Sequence, residues 1–373
     1  MSGDDGGMLG WDESVFRNEH VFEIDYLPEA FPHRETQMRN LQYALRPAAR
    51  GSRPLNVMAH GPPGTGKTTA VQKLFARLDA ETDVRSVRVN CQVDSTRYSV
   101  FSRLFEGIFE YEPPSSGISF KKLFGQITDH LVAEEEVLVV ALDDVNYLFY
   151  DSEASDTLYS LLRAHEAHSG ARIGVIVISS DPDLDVIAEL DGRVQSVFRP
   201  EDVYFPSYDT EEIADILGER AKRGFREDVL AMPELDRVAE LTTGTGDLRV
   251  GIDLLRRAGL RAEMRASTEI ASEDVEAAYE KSKYVHLSHS LQGLAESERT
   301  LLEVLARGDG EQAGTVYETF HEETGLGYTR YSEIVNKLAR LSIVEADYTE
   351  LEGRGRSREL SLAYDAEAVL DRL

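Results

Sequence analysis

Buried-strand and helix patterns alternate along the first half of the chain. Val137–Leu142 is apolar at every position, which is typical of a strand buried on both faces of a parallel sheet. Further strands are predicted at Leu55–Ala59, Ser86–Asn90, Ile173–Ile178 and Val203–Phe205. Helices are predicted between them, over Cys91–Tyr111, Phe120–Val132 and about Ser155–His168. This alternation predicts an α/β fold, doubly wound around a parallel sheet.

The second half of the chain has two different patterns. Residues 209–283 are helical without strands, which predicts a helical lid. From Ser290 onward three short amphipathic helices precede two strands, at Ile343–Tyr348 and Glu359–Leu362, which predicts an α+β winged helix-turn-helix. We therefore expect a disordered tail at 1–13, an α/β domain at 14–208, a lid at 209–285 and a winged helix at 290–373.

The segment Gly61–Thr68, GPPGTGKT, matches the P-loop pattern in full. A predicted strand precedes it, and Val71, Leu74 and Leu78 mark one face of the helix that follows. Its glycines allow successive backbone N–H groups to point at a polyphosphate. We therefore predict a nucleoside triphosphate site with Lys67 on the β- and γ-phosphates and Thr68 on Mg²⁺, formed by Gly61, Pro62, Gly64, Thr65, Gly66, Lys67, Thr68 and Thr69.

The chain is strongly acidic, with a net charge of −28 from 40 basic and 68 acidic side chains. Only 8 of the basic residues are lysines. Such composition is typical of proteins from salt-loving microbes, where screening reduces self-repulsion; an acidic protein that avoids nucleic acid is the alternative. The single cysteine, Cys91, excludes an intrachain disulfide. With no long apolar run and an acidic N-terminus, we expect a cytoplasmic protein without membrane contact.

Polar residues follow two of the predicted central strands. Asp143 and Asp144 come after Val137–Leu142, and Ser180 comes after Ile173–Ile178. The carboxyl ends of such strands are where α/β proteins bind ligands. We expect Asp143 to hold Mg²⁺ opposite Thr68, and Asp144 and Ser180 to position the attacking water.

Two arginines have positions suited to phosphate contacts. Arg193 follows a loop and could reach a neighbouring molecule's nucleotide, and Arg249 begins a lid helix and could reach the γ-phosphate. A surface ion pair is the alternative for each when it is considered alone.

These motifs together resemble AAA+ ATPases, and more closely the archaeal replication initiators of the Orc/Cdc-six family. The resemblance covers the chain from about Val15 to its end. It depends on the P-loop, the winged helix and several shorter segments: Phe31–Glu35, Asn90–Gln92, Gly192–Val194, Phe205–Tyr208, Gly246–Arg249 and Asp253–Gly259.

The resemblance implies ATP or ADP held between core and lid, with His33, Arg34 and Tyr208 among the nucleotide-binding residues. It also implies binding of double-stranded origin DNA by the winged helix and by an insertion within Tyr98–Leu123. The resemblance further implies association with the nucleoid, recruitment of the MCM helicase, and association with itself or a paralogue on DNA.

The sequence departs from the family pattern at two positions. Asp144 replaces the usual glutamate and is one methylene shorter, and Ser180 replaces the usual asparagine. Both residues would act on the water rather than on the phosphates, and a misplaced base loses rate. We therefore expect nucleotide binding with slow ATP hydrolysis acting as a switch.

The third helix of the winged domain and its wing contain the candidate DNA contacts. A recognition helix lies in the major groove with its first residues nearest the bases, which favours Tyr328, Thr329 and Arg330. Arg330, Asn336 and Lys337 are among the residues off its apolar face. Arg354, Arg356 and Arg358 place three positive charges in the wing, suited to phosphate or minor-groove contact.

Three functions fit these features. The first is an origin-binding initiator. The second is a regulatory paralogue that controls transcription in a nucleotide-gated way. The third is a clamp-loader-like remodelling ATPase, which Asp144 in place of the usual glutamate argues against, because motors need turnover.

Overall fold

The computed structural model describes most of the chain. The described residues are 14–114, 118–181, 184–284, 287, 290–291, 294–308, 311–341, 343–350 and 356–373. They form two compact units. Unit 1 consists of Met1–Glu35, Pro62–Thr65 and Pro206–His286, and unit 2 of Thr36–Gly61, Gly66–Phe205 and Leu287–Leu373.

Unit 2 contains the predicted α/β fold, which is confirmed. Its parallel sheet has the strand order β2-β3-β4-β1-β5. The strands are β1 (Val57–His60), β2 (Arg85–Asn90), β3 (Val137–Asp143), β4 (Arg172–Ser179) and β5 (Glu201–Tyr204). β3 is an interior strand between β2 and β4 and is buried at every position, as its continuous apolar run predicts.

Nine helices lie in or beside this described α/β region. They are α1 (Glu35–Leu45), α2 (Lys67–Glu81), α3 (Arg97–Phe109), α4 (Phe120–Ala133), α5 (Asn146–Tyr150), α6 (Ala154–Leu162), α7 (Ala164–Ala167), α8 (Val186–Glu189) and α9 (Gly192–Gln195). The helix predicted from Cys91 begins later, at Arg97. Asn90 accepts a hydrogen bond from the Gln92 N–H and holds a turn there, and Thr96 caps α3.

Unit 1 contains the predicted helical lid. Its helices are α10 (Thr210–Gly224), α11 (Met232–Thr245), α12 (Leu248–Met264) and α13 (Ser272–Ser282). Asp209 caps α10 in a capping box, and Gly246, with φ of 70°, ends α11 in the left-handed conformation.

The N-terminal described segment packs on the lid helices within unit 1. Phe16 and Phe22 both contact Phe225, with ring centroids 5.3 and 4.7 Å away. The sequence pattern predicts this segment as part of the α/β domain at 14–208. The predicted domain limits themselves stay a prediction.

The C-terminal part of unit 2 is a winged helix. Its helices are packed around Val316, Phe320, Tyr331 and Leu338, all buried. Its elements are α14 (Glu296–Arg307), β6 (Glu311–Gln312), α15 (Ala313–Thr324), α16 (Tyr328–Arg340), β7 (Val344–Glu350), β8 (Arg356–Leu362) and α17 (Ala366–Leu370). The antiparallel sheet has the order β6-β8-β7; the sequence pattern missed the short strand β6. Among the described residues, no helix is long and apolar enough to cross a bilayer.

Candidate functional site

The P-loop leaves β1 through a glycine that the backbone requires. Gly61 has φ of 143°, and a Cβ there would lie 2.2 Å from the carbonyl oxygen of Phe205. Gly66, with φ of 90°, precedes the first turn of α2. Neither position accommodates a side chain without strain, so the loop can make this turn only with glycine.

Lys67 and Thr68 begin α2 and point into the loop region of unit 2. The Lys67 ammonium is buried and donates to the Gly61 carbonyl at 2.7 Å. The Thr68 hydroxyl donates to Oδ1 of Asp143 at 3.0 Å, while Thr69 follows on the helix and is half-buried. The structure therefore brings together the lysine, the hydroxyl and the carboxylate that the sequence analysis predicted to act on one ligand.

Arg88 is a residue of this cluster that the sequence analysis missed. It projects from β2, and its guanidinium donates to Oδ2 of Asp143 at 2.9 Å. β2 pairs with β3, with Asn90 opposite Asp143. No local pattern predicts this contact, because it depends on which strand lies beside β3.

The environment of Asp143 raises its pKa to about 6. Burial is the largest cause and the nearby charge of Asp144 adds to it, whereas Arg88 and Thr68 oppose them by stabilising the carboxylate. A cation at this position would favour the charged form further. Hydroxyl and carboxylate oxygens are the ligands that Mg²⁺ prefers, so Thr68 and Asp143 fit that ion.

Asp144 and Ser180 lie at the carboxyl ends of β3 and β4, which are neighbours in the sheet. Asp144 has φ of 53°, a left-handed conformation that aspartate tolerates better than most residues. The backbone N–H of Val145, the residue after Asp144, donates to the Ile178 carbonyl at 3.0 Å. This hydrogen bond holds the chain that leaves β3 against β4. Both residues are thus at the same sheet edge, and their action on water stays a prediction.

Unit 1 holds the P-loop segment Pro62–Thr65 through Arg34. This arginine is only 2% exposed, and its guanidinium lies 3.6 Å from the centroid of the Tyr208 ring. It donates to the carbonyls of Thr65 at 3.0 Å, His33 at 2.8 Å and Pro206 at 2.6 Å. Burial lowers the pKa of Arg34, and burial raises that of Tyr208 to about 12. Arg34 is therefore a structural anchor of the loop.

Within unit 1, Asp247 contacts the P-loop segment Pro62–Thr65, which the sequence pattern does not predict. A Cβ on Gly64 would lie 2.0 Å from its carboxylate, so the P-loop requires glycine here too. Asp247 also caps α12, accepting from the Arg249 N–H at 2.9 Å. The Arg249 guanidinium binds both carboxylate oxygens, at 3.0 and 2.6 Å. Its predicted contact with a γ-phosphate stays a prediction.

His33 has an acidic environment within unit 1. Its backbone is left-handed, with φ of 62°. Its Nε2 lies 3.3 Å from Asp215 and its Nδ1 lies 3.7 Å from Glu212. These carboxylates come from α10, so the ring is held beside the first turns of the lid; a role in nucleotide binding stays a prediction.

Arg193 is the second residue of the short helix α9 in unit 2, and its side chain is paired with carboxylates of the same chain. Its guanidinium donates to Asp156 at 2.5 Å and to Asp191 at 2.9 Å, and lies 5.0 Å from the Tyr159 ring centroid. Half of its side chain is exposed. An arginine-finger role would require it to exchange these carboxylates for a phosphate.

The candidate DNA surface is formed by α16 and the start of β8. Tyr328, at the first position of α16, is 60% exposed, and Thr329 follows it; Arg330 donates to Glu333 at 3.1 Å. Arg358 lies in β8 and donates to Asn336 of α16 at 2.8 Å, which ties the wing to the helix. Arg356 is the first residue of β8, and Arg354 lies outside the described residues.

Lys337 does not belong to that exposed surface. Its ammonium binds both oxygens of Glu298 at 2.9 and 3.1 Å, and Glu298 is only 2% exposed. Glu298 also accepts from the Ala295 N–H at the start of α14. The lysine therefore neutralises a buried carboxylate inside the winged helix and is unsuited to contact DNA.

Comparison with known proteins identifies both parts of the ATPase region. Residues 30–178 match the family model described as AAA ATPase domain. Residues 214–280 match the one described as Cdc6 AAA+ ATPase-type lid domain. These matches agree with the parallel sheet of unit 2 and the helical lid of unit 1.

Two relatives that match over nearly their full length come from salt-loving archaea. The chain is 74% identical to ORC1-type DNA replication protein 3 of Haloarcula marismortui and 65% identical to ORC1-type DNA replication protein 6 of Halobacterium salinarum. Each match covers 98% of both chains. Among solved structures, the Aeropyrum pernix Orc1 protein in complex with DNA is similar with a TM-score of 0.81, 27% identity and 97% coverage of each chain. The chain belongs to the archaeal ORC1/Cdc6 family of DNA replication proteins.

Proposed function

We propose that this protein is a replication initiator that binds origin DNA and is switched by a bound adenine nucleotide. The observation that carries the nucleotide part is the contact of Thr68 with Asp143 at 3.0 Å, beside the buried ammonium of Lys67. These groups have the chemistry of a nucleotide–Mg²⁺ site: a cation for phosphate oxygens and two oxygen ligands for a metal ion.

When bound, Mg²⁺ neutralises charge on the nucleotide phosphates. In this site Thr68 and Asp143 would hold the ion, Lys67 would contact phosphate oxygens, and the glycines of the P-loop would present backbone N–H groups. Asp144 is short for a general base, so hydrolysis is slow and the bound nucleotide acts as a state marker.

Nucleotide binding is tested by titrating a fluorescent ADP analogue into the full-length protein with Mg²⁺. Lys67→Ala removes the phosphate cation, so we expect binding to weaken by at least tenfold, and Thr68→Ala should reduce the dependence on Mg²⁺. Equal affinity in the parent protein and Lys67→Ala would refute the assignment.

The DNA part of the proposal is supported by the full-length resemblance to the Aeropyrum pernix protein complexed with DNA and by the exposed start of α16. Replacing Arg354 and Arg356 by alanine should weaken duplex binding and leave nucleotide affinity unchanged, because the sequence pattern assigns both residues to the wing. Unchanged duplex affinity in that double variant counts against a role of the wing.

Recruitment of the MCM helicase and the marking of origins extend the proposal to the cell. Mapping the protein on its own genome at native salt tests this directly, and we expect a few discrete peaks beside replication start points. Peaks at promoters would instead establish a nucleotide-gated transcription regulator. Absence of peaks together with rapid ATP turnover would favour a remodelling ATPase.

A further inference from the structure

A groove on unit 2 combines exposed cations with an exposed aromatic ring. It lies between α1 and the second half of α2 and has a volume of about 410 Å³. Arg39, Tyr43 and Arg46 line one side, and Arg77 and Glu81 line the other. None of these residues belongs to the P-loop cluster or to the winged helix, so the groove has no role in the function proposed above.

Arg39, Tyr43 and Arg46 form a row along one side of a helix. Their spacing of four and three residues places them on the same face. The Arg46 N–H donates to the Gln42 carbonyl at 2.9 Å, so helical geometry continues past the last residue of α1. At the rise of an α-helix the row is about 10 Å long, which is long enough for adjacent groups of one extended ligand.

The two arginines of this row have no carboxylate partner within the part of the chain that the structure describes. Arg39 donates to the hydroxyl of Thr36 at 3.2 Å. Arg77, by contrast, is neutralised by Glu81 at 2.9 Å. In a chain with a net charge of −28, a row with two unpaired guanidinium groups is a local reversal of charge, and it favours an anionic ligand.

The exposure of the apolar residues decides between two kinds of anion. Leu45, Leu74 and Leu78 beneath the groove are 2%, 4% and 8% exposed, so an apolar anchor from an acidic peptide would find little surface to bury against. Tyr43 is 64% exposed, which leaves its aromatic side chain accessible to a ligand in the groove. An exposed ring beside cations is the combination that binds single-stranded nucleic acid, with bases stacked on the ring and phosphates on the cations.

We propose that this groove binds single-stranded DNA, with a base stacked on Tyr43 and the flanking phosphates on Arg39 and Arg46. A duplex keeps its bases paired and stacked on one another, so it cannot offer an internal base to the ring. The groove therefore selects unpaired strands irrespective of sequence. The inference goes beyond the proposed duplex binding and does not depend on it.

The experiment measures binding of a fluorescein-labelled oligothymidylate of about ten nucleotides to the full-length protein by anisotropy, over a series of salt concentrations. Tyr43→Ala should weaken binding by about tenfold with the salt dependence unchanged, since stacking does not release counterions. Tyr43→Phe is the matched control and should retain the affinity. Arg39→Ser combined with Arg46→Ser should reduce the slope of log affinity against log salt by about 1.4, the value for two phosphate contacts on a single strand.

A duplex probe separates this site from the winged helix. Tyr43→Ala should bind the duplex like the parent protein, whereas Arg330→Ala with Arg358→Ala should bind the duplex less tightly and the oligothymidylate equally well. If those winged-helix variants leave duplex binding unchanged, the duplex proposal fails and the groove is still tested by the single strand. Arg39, Tyr43, Arg46 and Arg330 are exposed and Arg358 is half-buried. Thermal unfolding at the parent temperature verifies that each variant is folded.

Two outcomes would overturn the proposal. One is an oligothymidylate affinity that Tyr43→Ala does not change. The other is Tyr43-dependent binding of a labelled acidic peptide, with the sequence of residues 1–13, that the oligothymidylate fails to displace; the groove would then be a site for acidic segments.

Discussion

Replacing Arg34 by methionine tests whether this buried arginine holds the P-loop. Methionine has a similar length but no hydrogen-bond donors, so the carbonyls of Thr65, His33 and Pro206 all lose their partner. The contact with the Tyr208 ring at 3.6 Å also loses its charge. The substitution therefore removes every polar interaction of a side chain that is 2% exposed.

The expected loss of unfolding free energy depends on whether each carbonyl that loses Arg34 can bind water instead. The hydrogen bond to Thr65 is buried, and leaving its acceptor unsatisfied costs about 1–3 kcal/mol. The other two acceptors are partly exposed and can bind water. Loss of the cation–π contact adds about 1–2 kcal/mol. Burial lowers the pKa of Arg34, which means that the charged form is disfavoured there, and relief of that penalty offsets part of the loss.

We expect Arg34→Met to lower the free energy of unfolding by about 2–3 kcal/mol. Because Thr65 lies in the P-loop, we also expect the dissociation constant of a fluorescent ADP analogue to rise about tenfold, which corresponds to about 1.4 kcal/mol. Urea unfolding and nucleotide titration measure the two effects. Arg39→Met is the matched control, because Arg39 is an exposed arginine in α1, the helix that follows Arg34 directly. This control substitution should change the free energy of unfolding by less than about 0.5 kcal/mol. Equal stability and nucleotide affinity in Arg34→Met and Arg39→Met would refute the anchoring role.

Three further perturbations test other parts of the structure. Asp144→Glu extends the carboxylate by one methylene and should raise the phosphate-release rate severalfold, with Asp144→Asn as the control that lowers it. Lys337→Met leaves the buried carboxylate of Glu298 without its cation and should lower the free energy of unfolding in urea by about 3 kcal/mol. Adding Glu298→Gln to that variant removes the unpaired charge and should restore most of the lost free energy. For Asp274, burial disfavours the charge, but hydrogen bonds from Arg265 and the Ala271 N–H outweigh it and lower the pKa below its ordinary 3.8. The charged Asp274 therefore stabilises the fold above that pH, and this stabilisation is lost as the pH falls through the lower pKa of the folded protein. Asp274→Asn should lower the free energy of unfolding by about 2 kcal/mol at neutral pH, and this difference from the parent protein should shrink in acid.

The strands and helices that depend on local pattern were predicted well. The apolar run before Asp143 forms an interior strand of the sheet, because a strand without polar positions is buried on both faces. The predicted ends of helices and strands were less accurate where a side chain stabilises a turn. The helix predicted from Cys91 starts at Arg97, because the Asn90 side chain stabilises a turn that periodicity does not register.

Polar residues on an amphipathic helix have two possible roles that the sequence does not separate. Lys337 lies off the apolar stripe of α16, as an exposed DNA contact would, yet its ammonium is held by the buried carboxylate of Glu298. Only the packing of α14 beside α16 decides this, since it determines which part of the helix surface is covered. Arg330, on the same helix, keeps half of its side chain exposed.

The sequence by itself determined the P-loop, the succession of strands and helices, the winged helix and the family. Each of these depends on the order of residue types within a short stretch, which is read directly along the chain. The tertiary structure alone decided that Arg88 binds Asp143, that Arg34 anchors Thr65, and that Arg39, Tyr43 and Arg46 line a groove with α2. These contacts join residues far apart in the chain, so they follow from strand order and helix packing, which no local pattern contains.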